Sequence, residues 1–251
     1  MSKPYQVLGD LSSPGPFLFT CEHASNRVPD PYPISVSDRP LLEDHWGWDI
    51  GAAHLVRALV SELGGQAVLS DFSRLLVDPN RPVEADSLIV REIDGQVIDL
   101  NRNVDTDERD RRIGDFFEAY HGEVDRVGRA RAELGRAFHV VSIHSFTPVY
   151  LGHVRAMEIG VLFDDFDEDA WHLQQALLQE EFVAELNEPY SGRGPGALIY
   201  SAQRHGHALG TKYLELEVRQ DLIAAEGDAR AVAARVGRAL KDAFLPEGCG
   251  G

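Results

Sequence analysis

Two short apolar runs in this chain stop at a histidine, and that pattern limits the fold more than any other feature. Phe17-Leu18-Phe19-Thr20-Cys21 breaks into Glu22-His23 and then into small and polar residues, and Phe138 to Ile143 breaks into His144-Ser145-Phe146-Thr147-Pro148. A short continuous β-prone run bounded by polar residues reads as a strand buried on both faces. Such strands belong to sheets covered by helices, and open α/β sheets place their chemistry at the carboxyl edge.

The intervening sequence supplies the helices. From Ile50 to Leu63 the apolar positions Ala52, Leu55, Val56, Leu59, Val60 and Leu63 recur at three- and four-residue steps, and Gly64-Gly65 ends the run. Asp49 therefore sits at or next to a helix N-terminus. A strand over about Ala67 to Ser70 follows, and the spacing of Ile113, Phe116, Phe117, Tyr120, Val124, Val127 and Leu134 predicts a long amphipathic helix over about Asp105 to Gly135. Glu158 to Phe163 reads as a strand, Glu168 to Leu186 as a helix, and about Asp228 to Phe244 as the last helix. Tyr213 to Val218 alternates with period two, which puts Leu214, Leu216 and Val218 on one face and Glu215 and Glu217 on the other. Residues 1 to 16, with their Pro-Gly-Pro, read as a leader laid over the surface, residues 83 to 104 carry little pattern, and Asn187 to Gly192 is turn-rich. Strands interleaved with helices predict one α/β sandwich domain spanning 1–251, with its core over about 17–223 and a C-terminal helix over about 228–244.

Charge and cysteine usage narrow the function classes. A formal net charge of −17 repels phosphate backbones and anionic bilayers, so neither nucleic acid nor a membrane surface is an expected partner. An anionic substrate would need local arginines to reverse that field. No run approaches the roughly 18 apolar residues of a membrane span, and the first residues lack the apolar core of a signal peptide, which predicts a cytoplasmic protein. Cys21 and Cys249 lie at opposite ends of the chain, so any metal must be held by histidine and carboxylate.

A hydrolytic zinc site needs roughly three protein ligands and an open position for water. His23 and His144 end two buried strands and Asp49 begins the helix after the first, so all three can meet at one sheet edge. A nearby carboxylate must then take the proton of the bound water, and Glu217, or Glu215 beside it, can supply that base. Each residue also has a plainer reading. Histidines after strands are usually satisfied polar groups, Asp is a favoured N-cap, and the glutamate pair fits the solvent face of an edge strand. Arg74, Arg81 and Arg219 could be surface cations paired with the many acids, or guanidinium groups for substrate carboxylates. The joint occurrence of these groups favours the metal reading.

The order Cys21-Glu22-His23 with Asn26 and Pro29, His45-Trp46 with Asp49-Ile50-Gly51, Ser73-Arg74-Leu75 through Asp78-Pro79-Asn80-Arg81-Pro82, Ile143-His144-Ser145-Phe146, Asn187 to Gly192, His205-Gly206 and Glu217-Val218-Arg219-Gln220-Asp221-Leu222 resembles the N-formylglutamate amidohydrolase family over about Phe17 to Ile223. The resemblance implies a three-layer sandwich with a mixed central sheet, like that of zinc-dependent exopeptidases. It also implies Zn2+-assisted hydrolysis of a small-molecule N-acyl amino acid, with N-formyl-L-glutamate as the leading substrate and a place in histidine degradation. Carried over residue by residue, it assigns His23, Asp49 and His144 to the metal, Glu217 to catalysis, and Arg74, Asn80, Arg81 and Arg219 to the substrate. Related zinc amidases that cut peptidoglycan have Glu where this chain has the shorter Asp49, which leaves Glu22, Asn26, Glu43 or Asp44 as alternative ligands. Two other readings compete: a zinc N-acetylmuramoyl-L-alanine amidase or other N-acyl-amino-acid deacylase, and a non-catalytic carboxylate-binding protein.

Overall fold

The computed structural model describes residues 3–135, 137–194 and 197–245. Seven strands form one sheet: β1 (Tyr5–Leu8), β2 (Phe17–Cys21), β3 (Gln66–Ser70), β4 (His139–Phe146), β5 (Ile159–Leu162), β6 (Ala184–Leu186) and β7 (Tyr213–Arg219), in the order β1-β3-β2-β4-β7-β5-β6. Strands β3, β2, β4 and β7 are mutually parallel, β1 runs antiparallel to β3, and β5 runs antiparallel to β7 with β6 parallel to it. The sheet is therefore mixed, with four parallel strands delivering their carboxyl ends to one edge.

Helices cover both faces. Helices α1 (Ala52–Leu63), α3 (Asp167–Gln179) and α5 (Glu226–Phe244) pack on one, through Leu55, Leu59, Leu173, Leu177, Val236 and Leu240. The other is covered by α2 (Ala119–Glu133), by α4 (Tyr200–Leu209) and by the segment from Phe72 to Val104. Helix α2 continues a short helix, Thr106–Arg112, through a π-helical turn over Ile113–Glu118.

Alternation along each strand sorts its residues between these faces. Phe17, Phe19, Cys21, Val141, Ile143, Leu214, Leu216 and Val218 all join the core under α1, α3 and α5. On the other face the register aligns Leu18, Val140 and Tyr213 in one row, Thr20, Ser142 and Glu215 in the next, and His144 with Glu217 beyond them. That face thus changes from apolar to polar in the strand direction, and parallel pairing makes every strand change together.

The structure departs from the sequence expectations in several places. Tyr5–Leu8 is not a loose leader but an edge strand paired with β3, legible only through backbone bonding because none of its side chains is fully buried. The helix expected over 168–186 ends at Gln179; Glu181 adopts a left-handed backbone conformation, and Ala184–Leu186 is strand β6. Helix α4 occupies a stretch for which the apolar spacing predicts no element. His144 lies inside β4 rather than after it. A two-stranded hairpin, Val149–Tyr150 with His153–Val154, rises after β4. Among the described residues no helix is long and apolar enough to cross a membrane. Cys21 is a buried free thiol, and Cys249 lies outside the described residues.

Candidate active site

A cavity of about 270 Å³ opens at the carboxyl ends of β2, β4 and β7, with His23, Asp49, His144, Glu215 and Glu217 in its wall. The two imidazoles meet edge to face, their centroids 4.8 Å apart. Each turns its Nε2 to a buried carboxylate: His23 lies 2.7 Å from Asp78 Oδ1, and His144 lies 3.1 Å from Glu22 Oε2. Each turns its Nδ1 toward Asp49 Oδ2, at 3.4 Å from His23 and 2.8 Å from His144. Among the described residues His23 Nδ1 has no hydrogen-bond partner. Donor atoms of His23, Asp49 and His144 lie within 4.8 Å of one another, the one such group among the described residues.

Local chain geometry holds Asp49 in this position. Its N–H donates to the carbonyl of His23 at 2.9 Å, and the N–H of Ser145 donates to Oδ2 at 3.2 Å, so the residue is tied to the ends of both β2 and β4. Arg74 donates to Oδ1. Asp49 does not cap α1. Gly51 does, at a φ of 85°, where an added Cβ would also collide with the carbonyl of Ile223.

The alternative ligands have other surroundings. Glu22 is buried with both oxygens engaged, accepting from Tyr120 Oη at 2.8 Å and from Ser142 Oγ and Ser201 Oγ, each at 2.6 Å. Glu43 and Asp44 are exposed, and Asp44 accepts from the backbone and ring of His45. Asn26 is not in the cavity wall.

Burial and charge fix the protonation of the cluster. Burial and the Arg74 cation push His23 down to about 3, so it is neutral. Burial works against the imidazolium at His144 too, but Glu215 and Glu22 outweigh it and raise the group to about 10. Burial lifts Glu215 and Glu217 to about 7 against the pull of His144; Glu22 adds to the rise at Glu215, and Glu215 to that at Glu217. Glu22 and Asp78 stay well below the ordinary carboxylate range despite burial, held there by His144 and by His23 respectively. The two glutamates of β7 differ in engagement: Glu215 Oε2 lies 3.4 Å from Asn80 Nδ2 and 3.6 Å from His144 Nε2, whereas Glu217 Oε2 has no hydrogen-bond partner among the described residues.

This constellation sits within a stretch that matches a known family. The sequence profile of N-formylglutamate amidohydrolase covers residues 15–224. The chain belongs to the N-formylglutamate amidohydrolase family. It is thus a hydrolase of amide bonds with a small-molecule substrate. A gene product of Agrobacterium tumefaciens is 31% identical and superposes with a TM-score of 0.89 over 96% of this chain and 95% of its own. An N-formylglutamate amidohydrolase from Ralstonia eutropha JMP134, 18% identical, shares the fold with a TM-score of 0.75 over 96% of this chain and 97% of its own. No curated protein sequence matches the chain.

The family-derived substrate residues divide on inspection of their contacts. Arg74 and Arg81 line the cavity, Arg81 with its Nε 3.9 Å from Asp78 Oδ2. Asn80 also lines it, but its amide is engaged by the protein: Nδ2 donates to the Leu198 carbonyl at 3.1 Å and Oδ1 accepts from the Ser201 N–H at 2.9 Å. Arg219 is not in the cavity wall. Its position at the end of β7 turns the guanidinium to Asp221 at 2.8 Å and to the carbonyls of Arg155, Ala156 and Met157.

Residues that sequence reasoning passed over complete the site. Asp78 stood in a motif but not as the partner of His23, and Glu22 was weighed only as a ligand. Behind the Asp78-Pro79-Asn80 segment runs a buried chain: His121 Nε2 lies 3.0 Å from the Pro79 carbonyl, His121 Nδ1 lies 2.8 Å from His205 Nε2, and His205 Nδ1 lies 2.8 Å from Asp125. The carbonyl only accepts, so His121 carries a proton on Nε2. His205 within an otherwise polar stretch was the available sequence signal. Gly160 on β5 leaves room for the Glu188 carbonyl, which a Cβ would strike, and so brings Tyr190 over the cavity.

Proposed function

We propose that this chain removes a formyl or similarly small acyl group from an acidic amino acid with the help of one divalent metal, with zinc as the ion and N-formyl-L-glutamate as the leading substrate. The observation that carries the reading is the pair of Nδ1 atoms of His23 and His144 facing Asp49 Oδ2 beside the unpartnered Oε2 of Glu217. Two imidazoles and a carboxylate suit zinc, and each imidazole is backed by a carboxylate that fixes its tautomer, as ligating histidines require. A metal held there polarises the acyl oxygen and lowers the pKa of bound water.

This chain's own groups account for the remaining steps. Asp78 and Glu22 orient His23 and His144. Glu217, raised to about 7, takes a proton from the attacking water and passes it to the amide nitrogen as the carbon–nitrogen bond breaks, leaving formate and L-glutamate. Arg74 and Arg81 reverse the protein's negative field around the substrate.

The test is formate release from N-formyl-L-glutamate by chelator-treated protein, with and without one equivalent of zinc. Turnover only with the metal is the expected result, and none in either case overturns the substrate. His23→Ala and His144→Ala should each lose bound zinc; retention in Asp49→Ala would move the third ligand elsewhere.

A further inference from the structure

Arg155 is not itself in the cavity wall, and its partners set it apart from Arg74, Arg81 and Arg219. Arg74, Arg81 and Arg219 are each paired with an aspartate, Asp49, Asp78 and Asp221 respectively. Arg155 instead packs its guanidinium over three aromatic rings, 4.8 Å from the centroid of Tyr150, 5.5 Å from Phe146 and 5.6 Å from Tyr190. Those three rings line the cavity that holds His23 and Glu217. Its polar contacts include the Thr147 carbonyl at 3.3 Å and Thr147 Oγ1 at 3.4 Å, both neutral. Among the described residues it makes no ion pair, in a chain of net charge −17 with acids in excess.

The surroundings fix this cation rather than neutralise it. Stacking on aromatic faces orients the planar fork and strips water from its faces while leaving the edge donors available. Arg219 holds the carbonyls of residues 155, 156 and 157 and so braces the segment at its root. The Arg155 charge is also felt at Glu217, where it acts to lower the carboxyl.

Position separates the arginines by role. Arg74 and Arg81 are tied to Asp49 and Asp78, the carboxylates that touch the two histidines, and so stand beside the reacting amide. Arg155 neighbours aromatic residues of the cavity wall and belongs to the hairpin excursion after β4. In an N-acyl amino acid the α-carboxylate is adjacent to the carbon bearing the amide nitrogen, and a side-chain carboxylate lies further out.

We infer that Arg155, held among Phe146, Tyr150 and Tyr190, selects substrates with a second carboxylate by binding the side-chain carboxylate of an acidic amino acid. This rests on the hydrolytic reading for the identity of the substrate, but its test does not depend on turnover. L-glutamate and L-glutamine differ by one carboxylate replaced with an amide, and their binding to the zinc-loaded protein is compared by titration calorimetry. The expected preference for L-glutamate is at least about tenfold, the scale of a charge-assisted hydrogen bond. Arg155→Met should abolish it at an unchanged melting temperature, and Arg155→Lys, which keeps the charge without the fork, should retain part. No preference in the unmodified protein, or a preference intact in Arg155→Met, overturns the role. Formate release by the same preparations judges the hydrolysis separately: turnover with no glutamate preference rejects Arg155 alone, and a preference lost in Arg155→Met without turnover rejects the hydrolysis alone.

Discussion

The two faces of the central sheet are built from the same strands yet follow different rules. Under α1, α3 and α5, every second residue of β2 and β7 is apolar to the end of the strand, as Leu214, Leu216 and Val218 show, and β4 adds Val141 and Ile143 before Ser145. On the opposite face the row Leu18, Val140 and Tyr213 gives way within two residues to Thr20, Ser142 and Glu215, and then to His144 and Glu217. Burial is nearly complete on both. One face is stabilised by excluding water from hydrocarbon; the other keeps charges whose partners had to be supplied one by one.

Substitutions on either side should separate stability from chemistry, and the largest effect is expected at Glu217. Glu217→Gln should lower kcat by roughly 10²- to 10⁴-fold while zinc content by elemental analysis stays unchanged. Full activity in that variant would remove Glu217 from catalysis and leave the polar face without its base.

On the apolar face the effect should be one of folding alone. Leu240→Ala on α5, at a fully buried position, should cost about 2–5 kcal/mol in urea unfolding. Activity per folded molecule should be unchanged; a drop in kcat comparable with that of Glu217→Gln would show that the two faces are not separable.

pH should act mainly through the polar face. Glu215 and Glu217 are raised from an ordinary 4.5 to about 7, so between those values the folded chain retains protons that the unfolded chain has released. Stability contributed by the pair is fully present below 4.5 and is lost as pH rises through 7, a fall of about 1–3 kcal/mol in metal-free protein. Because His23, held down to about 3, contributes an opposing rise up to 6.5 in both proteins, the urea midpoint of the unmodified protein should fall across that window relative to that of Glu217→Gln. A rise relative to that variant would contradict the assignment of these protons. His144, raised to about 10, extends the decline above its ordinary 6.5.

The smallest effect concerns a single donor. Tyr120→Phe removes the 2.8 Å bond to Glu22 and should cost about 1–2 kcal/mol, read as a shift in urea midpoint. Zinc content should persist, since Ser142 and Ser201 still hold Glu22 in place.

The same contrast explains what the sequence made legible. Periodic apolar residues marked β2, β3, α1, α5 and β7 because hydrocarbon burial alone decides those elements. Strand ends, the helix start and then the family motifs pointed to His23, Asp49 and His144, which the structure gathers into one group. Elements decided by backbone bonding or by polar partners were missed: β1 with its exposed side chains, β6 read as a helix extension because Phe182, Val183 and Ala184 prolonged an apolar run, and α4 with His205 and Ser201 buried on its inner face. Glu215 and Glu217 alternated as expected, but the edge-strand solvent face that one reading gave them is a buried face in the middle of the sheet. Arg219 has the residue type of a carboxylate anchor, yet the chain path turns it onto backbone carbonyls. Spacing alone cannot show such a turn.

The hairpin after β4 has an evolutionary consequence. His144 is fixed by the register of a strand with neighbours on both sides, whereas Arg155 belongs to an excursion that pairs only with itself. Exchanging Val149 to Arg155 for another sequence leaves every ladder of the seven-stranded sheet untouched. Recognition in this architecture is therefore detachable from reactivity, and lineages can trade one amino-acid preference for another by loop replacement while inheriting the hydrolytic centre whole.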